Sequence, residues 1–296
     1  MTTILTTHGP ANAEAPHLSL RQCVSLACIL ECTAPKPGNV HRGSDFEDLS
    51  FVDFLASAIA ISEPLAYASD GVGGSVMAAV NATQGCVKTN ANLGIVLLLA
   101  PLAAVPRGQP LREGVKKVLA NLSSDDSRLI YDAIRLVEPG GLGEVEEHDV
   151  HEPAPQRLLD AMEAAADRDS IAYQYAHGYE TVFDELLPDL MGKGLPETFR
   201  LTDRIVHAHV ASIARRGDTL IARKAGAETS EKAKAIAKRA IDADPIGGET
   251  YHRAIHDLDF WMRSQDNRRN PGTTADLVAA ALFAGLRDGL IPPPWR

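Results

Sequence analysis

Apolar residues recur along this chain with the spacing of one helix face, segment after segment, and that periodicity constrains its fold more than any other feature. In the stretch 17–33 the stripe is Leu20, Cys23, Val24, Ala27, Cys28 and Leu30. The same period predicts helices over 50–67, 74–87, 90–105, 112–122 and 124–137. Ser50 and Asp53 make a capping-box-like start for the first of these, and Glu63-Pro64 kinks it. Beyond a polar loop at 138–155, helices are expected over 156–167, 170–190, 196–216, 229–242 and 248–263. A last one is capped by Thr273-Thr274-Ala275-Asp276 and ends near Gly289. Val, Ile and Thr never alternate long enough to write a strand, and Thr219-Leu220-Ile221-Ala222 is the only weak candidate. Aromatic residues are 5% of the chain, whereas sheets draw on aromatic and β-branched residues. With 296 residues and 45% hydrophobic content there is enough apolar area for one large core. The expectation is an all-α fold: a single globular multi-helix domain over 17–290, preceded by a loosely attached segment, 1–16. No internal repeat or long linker divides it.

Charge narrows the partners. The formal net charge is −10, so a general nucleic-acid surface is not expected, because phosphate binding needs a basic face. An anionic substrate must instead meet local Lys and Arg inside a cleft. The greasiest run, 93–105, falls short of the ~20 residues that span a bilayer and contains Pro101, so it reads as a buried core helix and no membrane partner is expected. Residues 1–16 carry neither the basic region nor the apolar stretch of a secretory signal. Cys23, Cys28, Cys32 and Cys86 form no C-x-x-C pair and read as small hydrophobes of a reducing compartment, so a cytoplasmic location is expected. The alanine-rich helices are also suited to packing against a partner protein or a second copy.

Three polar, glycine-bearing loops between helices concentrate the chemistry. The first is Ala34-Pro35-Lys36-Pro37-Gly38-Asn39-Val40-His41-Arg42-Gly43-Ser44-Asp45, where two prolines and a glycine stiffen the backbone. Lys36 and Arg42 there can pair with phosphate oxygens, and Asp45, Glu47 and Asp48 can serve a magnesium ion; Glu47 also reads as an ordinary helix-start acid. The second is Lys88-Thr89-Asn90-Ala91-Asn92-Leu93-Gly94. It fails as a P-loop, since residue 82 is Ala and no strand precedes it. It remains a helix N-terminus with Lys88 beside it, where Thr89 or Asn90 either caps the helix or helps hold an anion. The third runs from Pro139 through Gly140, Gly141 and Gly143 to the acids Glu144, Glu146, Glu147 and Asp149, with His148. Its glycines permit close backbone approach, and its acids either bind metal, move protons or are simply solvated. Arg223 and Lys224 are candidates for a triphosphate. Asn270-Pro271-Gly272 leads to Asp276, which with Thr273 completes a capping box. His207, His209, His252 and His256 read as structural.

Taken in order, Ala34-Pro35-Lys36-Pro37-Gly38, Lys88-Thr89-Asn90 with Gly94, Pro139-Gly140-Gly141-Leu142-Gly143, Asp218 to Arg223, and Asn270-Pro271-Gly272 through Asp276-Leu277 resemble the triphosphoribosyl-dephospho-CoA synthase family. The resemblance covers roughly residues 20 to 290. It implies an all-helical enzyme that joins ATP to 3′-dephospho-CoA with release of adenine. The triphosphoribosyl unit becomes attached through C1′ to a ribose hydroxyl, giving a prosthetic-group precursor. Breaking the N-glycosidic bond builds oxocarbenium character on the ribose, which carboxylates stabilise. On this resemblance Lys36, Lys88 and Arg223, with Arg42, Thr89, Lys224, Gly140 and Gly141, meet the nucleotide. Asp45, Asp149 and Asp218 serve Mg²⁺ or the oxocarbenium, and His41 or Asp149 is the base. Asn39, Asn90 and Asn270 orient sugar or purine, and Asp276 matches the family motif. The stretch 39–49 departs from the family pattern. That marks a divergent subgroup and leaves open another acceptor, such as one in methanopterin-type C1-carrier synthesis. A catalytically silent nucleotide-binding or scaffold protein is the alternative outside enzymes.

Overall fold

The computed structural model describes residues 18–89, 91–139, 147–265 and 267–295. Among them every regular element is a helix. Helix α1 (Leu20–Thr33) starts at Ser19, whose side chain accepts from the Gln22 amide while Gln22 bonds back to Ser19. Helix α2 (Phe51–Ala60) has the same reciprocal start, from Ser50 and Asp53. The chain breaks at Ile61, just before Pro64, and resumes as the short α3 (Ser62–Leu65). There follow α4 (Val72–Cys86), α5 (Leu93–Ala103), α6 (Leu111–Ala120) and α7 (Ser124–Val137). Ser123, one residue before the expected cap, starts α7 with Asp126. Next come α8 (Leu158–Ala165), α9 (Ser170–Ala176) and α10 (Leu187–Leu190). The chain closes with α11 (Leu201–Arg216), α12 (Thr219–Ala225), α13 (Ala227–Ile241), α14 (Glu249–Arg263) and α15 (Gly272–Arg287).

Four expectations need correcting. The stretch 170–190 is not one helix: Gly178 and Tyr179 take positive φ, and a π-helical turn, Val182–Leu186, precedes α10. Pro196 does not open α11, which begins five residues later where Asp203 accepts from the Arg200 amide at 2.9 Å. Residues 219–222 are helical, because the Asp218 carboxylate accepts from the Ile221 amide at 3.0 Å and caps α12. The Thr273–Asp276 capping box does not form, since α15 already begins at Gly272.

Two helices are buried nearly all round. Every residue of α5 is buried. In α15 every residue from Thr273 to Arg287 is buried except Asp276. The small side chains Ala279, Ala280, Ala281, Ala284 and Gly285 let neighbouring helices approach α15 closely. Pro101 lies inside α5 and lacks an amide hydrogen, so the Leu97 carbonyl loses its helical donor. The buried Tyr175 hydroxyl of α9 donates to that carbonyl at 2.6 Å, and Tyr179 donates to Leu98 O at 2.8 Å. These bonds fasten α9 and the turn after it to α5, beside a cleft.

Candidate active site

A cleft of about 930 Å³ lies between the starts of α5, α9 and α15, one face of α12, and the loop after α1. Its floor is built by three acids on different elements. Asp169 caps α9, its Oδ1 accepting from the Ile171 and Ala172 amides at 2.8 and 3.0 Å, and it pairs with Arg223 through Oδ2. Arg223 keeps one buried guanidinium nitrogen, Nε, without a hydrogen-bond partner. Glu31 reaches the cleft from α1 and is paired with Lys36 at 2.8 Å; Lys36 also donates to the Glu31 carbonyl at 2.6 Å. Asp276 comes from the first turns of α15. Gly94 of α5 leaves room for it: a Cβ at residue 94 would stand 2.0 Å from Asp276 Oδ2.

The start of α15 explains why Asp276 is available. Asp218, 3% exposed, caps its own helix α12 with Oδ1. Its Oδ2 accepts from the Thr274 amide at 2.8 Å and the Thr274 hydroxyl at 2.7 Å. One carboxylate thus caps two helices. Burial pushes the Asp218 carboxyl above its ordinary range, against those hydrogen bonds. Relieved of capping, Asp276 has no hydrogen-bond partner among the described residues and faces the cleft. It is only partly covered by area, but it lies deep. Desolvation first, then the charges of Glu31 and Asp218, hold its carboxyl well above the usual carboxylate range, with Arg223 opposing.

Amides complete the wall. Asn39 Nδ2 donates to Asn270 Oδ1 at 2.7 Å, joining the proline loop to the turn before α15, and Asn39 Oδ1 is buried without a partner. Asn92 accepts from the Thr83 hydroxyl at 3.1 Å and keeps its buried Nδ2 unpartnered. The proline loop is clamped from behind. The Gly38 amide donates to Asp259 at 2.8 Å, and Arg263 donates to the Asn39 carbonyl at 2.6 Å. Gly38 has φ +73°, and a Cβ there would meet Met262 Cβ at 2.8 Å, so only glycine fits.

Of the expected site residues, Asn39, Thr89, Asp149, Arg223, Lys224, Asn270 and Asp276 line this one cleft. Asp149 is buried and accepts from the His151 amide at 2.8 Å. Lys36 lies behind the wall with no exposed surface, its ammonium held by Glu31. His41 is off the wall; burial and the nearby Arg263 guanidinium lower its imidazole pKa. Arg42 is exposed away from the cleft, and Asp45 accepts from the Phe51 amide at 2.7 Å at the start of α2. Lys88 borders a neighbouring hollow of about 70 Å³, to which Thr89 also contributes. Asn90, Gly140 and Gly141 fall outside the described residues. The carboxylates of Asp45, Asp149 and Asp218 are not brought together, and no group of three His, Cys, Asp or Glu suited to a metal occurs among the described residues.

Sequence reasoning missed Glu31, Asp169 and Asn92. Glu31 carried a signal, being the one acid inside an apolar helix stripe with a lysine five residues on. Asp169 before Ser170 was legible as a cap. Asn92 gave no signal that separates it from any other asparagine.

The comparisons with known proteins point one way. The family model CitG, ATP:dephospho-CoA triphosphoribosyl transferase, matches residues 17–292. A solved structure from Archaeoglobus fulgidus, assigned as a triphosphoribosyl-dephospho-CoA synthase, superposes with a TM-score of 0.61. It is 22% identical and covers 82% of this chain and 100% of its own, a likeness of fold. No curated protein matches. All of the cleft described above falls inside the matched residues, and the chain belongs to the family of ATP:dephospho-CoA triphosphoribosyl transferases.

Proposed function

We propose that ATP and dephospho-CoA meet in the 930 Å³ cleft, and that the triphosphoribosyl unit is transferred there with release of adenine. The observation that carries this reading is the convergence, in one cleft, of Arg223 and Lys224 with acids from the last turn of α1 and the starts of α9 and α15. The volume lies at the upper end of small-molecule sites, which suits two substrates. Arg223 is positioned by Asp169 and offers an unpartnered Nε to a phosphate oxygen. Lys224 and Arg268 line the same side, where Arg268 donates to the Lys224 carbonyl at 3.0 Å. The buried Asn39 Oδ1 and Asn92 Nδ2 lack partners, and ribose hydroxyls or purine edges supply the complementary donors and acceptors. The apolar stretch of Leu97, Tyr131, Ile134 and Met162 offers a face for a purine ring or an acyl-carrier arm.

Of the two groups expected to act as base, Asp149 is on the wall and His41 is not, so we assign Asp149 to the acceptor hydroxyl. Mg²⁺ belongs to the same proposal. The donor set fits an ion carried by the triphosphate rather than caged by protein, since magnesium keeps waters and uses one or two carboxylates. Asp48, exposed on the wall, is the residue we assign to it. When bound, the ion neutralises triphosphate charge. A cytoplasmic location is part of this reading as well. The cysteines are free, with Cys23, Cys28 and Cys32 buried and Cys86 exposed, and no described helix is long and apolar enough to cross a membrane.

The test is adenine release from ATP–Mg²⁺, with and without dephospho-CoA, for the native chain and for Arg223→Met. Release that requires dephospho-CoA is expected, with KM for ATP raised about 10–100-fold in the variant, the worth of a hydrogen bond to a charged group. Native KM in Arg223→Met contradicts the cleft as the ATP site.

A further inference from the structure

We propose that Asp276 is the acid that gives adenine its proton as the C1′–N9 bond of ATP breaks. The proposal rests on the reading that ATP occupies the cleft, and it assigns a specific step to a residue that the sequence offers as a helix cap or as part of the family's substrate motif.

Four observations converge on Asp276. It is the single interruption in the burial of α15 between Thr273 and Arg287, and it interrupts it toward the cleft. The capping duty its sequence suggests is performed by Asp218, which bonds Thr274 instead. No described residue donates a hydrogen bond to it, although carboxylates at helix starts ordinarily accept from backbone amides. Finally, its carboxyl lies against the bare Cα of Gly94, where a methyl group would stand 2.6 Å from Cγ and 2.0 Å from Oδ2. A glycine at that point of α5 seats the carboxyl in the floor instead of capping anything with it.

The surroundings favour the protonated form. Facing Asp276 are Glu31 and Cys28 from α1, Asp169 at the start of α9, Asp218 before α12 and Arg223 on α12. Arg223 is already paired with Asp169, and Lys36 with Glu31. The N-terminal dipole of α15 favours a carboxylate, but desolvation and the acids Glu31 and Asp218 outweigh it, and the carboxyl retains its proton above the usual range. A neutral carboxyl without a partner can donate the moment an acceptor arrives.

The step balances. As C1′–N9 breaks, its electron pair goes to the purine, and the Asp276 proton moves to a purine ring nitrogen, leaving a carboxylate. The acceptor hydroxyl oxygen forms the new bond to C1′ and its proton passes to the Asp149 carboxylate. Proton exchange with solvent resets both acids. No redox partner is needed.

The experiment uses Asp276→Asn and Gly94→Ala, the second displacing the carboxyl without removing it. Both are assayed for ATP binding by thermal shift and for adenine release, using ATP and an N7-methylated ATP analogue whose purine leaves without protonation. The expected result is retained ATP binding and a fall in kcat of about 10²–10⁴-fold with ATP in Asp276→Asn. Turnover of the methylated analogue should return to within about tenfold of the native rate, and Gly94→Ala should show the same pattern more weakly. The native kcat should fall as pH rises through the Asp276 pKa, a limb absent from Asp276→Asn with the methylated analogue. Native turnover of ATP in Asp276→Asn overturns the proposal. So does a variant that binds ATP yet gains nothing from the methylated analogue. Loss of ATP binding in Arg223→Met, or its absence, reports on the cleft reading separately.

Discussion

The proline loop at 34–45 and the turn into α15 at 270–276 meet through the Asn39–Asn270 hydrogen bond, yet they use their charged residues in opposite ways. The loop carries Lys36, His41, Arg42 and Asp45, and none of the four lines the cleft. Lys36 is buried against Glu31, Asp45 accepts from the Phe51 amide, and Arg42 is exposed. The turn carries one acid, Asp276, that reads as a cap and instead faces the cleft without a partner. A dense run of charge in a sequence is therefore a poor guide to reactive charge. Burial obliges Lys36 to find a partner in Glu31, and a group so engaged has little left to offer a substrate. Reactivity is found where a distant residue has taken over the local duty, as Asp218 has for the start of α15.

The largest effect is expected at Lys36. Lys36→Met leaves Glu31 as an unpaired buried charge and is expected to cost about 3–5 kcal/mol in urea unfolding. A stable variant with a raised KM for ATP would return Lys36 to the phosphates. Asp218→Ala removes two caps at once, and a loss of about 2–4 kcal/mol is expected in the same measurement. Full stability with abolished adenine release would make Asp218 part of the chemistry instead.

Asp276 sharpens the other side. Its folded pKa is raised, so the folded state holds a proton that the unfolded chain releases above the ordinary carboxylate range. Native stability should therefore decline as pH rises from that range through the folded pKa. Asp276→Asn should lack this decline and melt higher than the native chain at alkaline pH. Identical melting curves across pH would place Asp276 in an ordinary solvated setting. The smallest effects belong to Arg42→Ala and Lys88→Ala, each expected within about 0.5 kcal/mol of native stability. Their turnover should be unchanged, since both side chains are exposed outside the cleft.

The helical framework was legible because its signals are local. Ser50–Asp53 predicted its own capping box, and the 93–105 run predicted a buried helix. Errors arose wherever a distant partner intervened. Thr219–Ala222 looked extended by composition, but Asp218 nucleates a helix there. Thr273 and Asp276 have cap spacing, but the amide that matters is bonded by a residue 56 positions upstream. The site divides the same way. Arg223 and Asn270, expected from motif order, and Asn39, expected from the proline loop, line the cleft, whereas Glu31 stands out once Lys36 is seen folded back onto it.

The most direct measurement of the central claim fills the cleft without touching its charges. Ala165 lines the wall from α8 and is only partly buried, so Ala165→Trp places an indole in the space assigned to the substrates. The expected result is a native helical spectrum, no thermal shift with ATP–Mg²⁺, and loss of dephospho-CoA-dependent adenine release. Adenine release at the native rate from a cleft so blocked would contradict it.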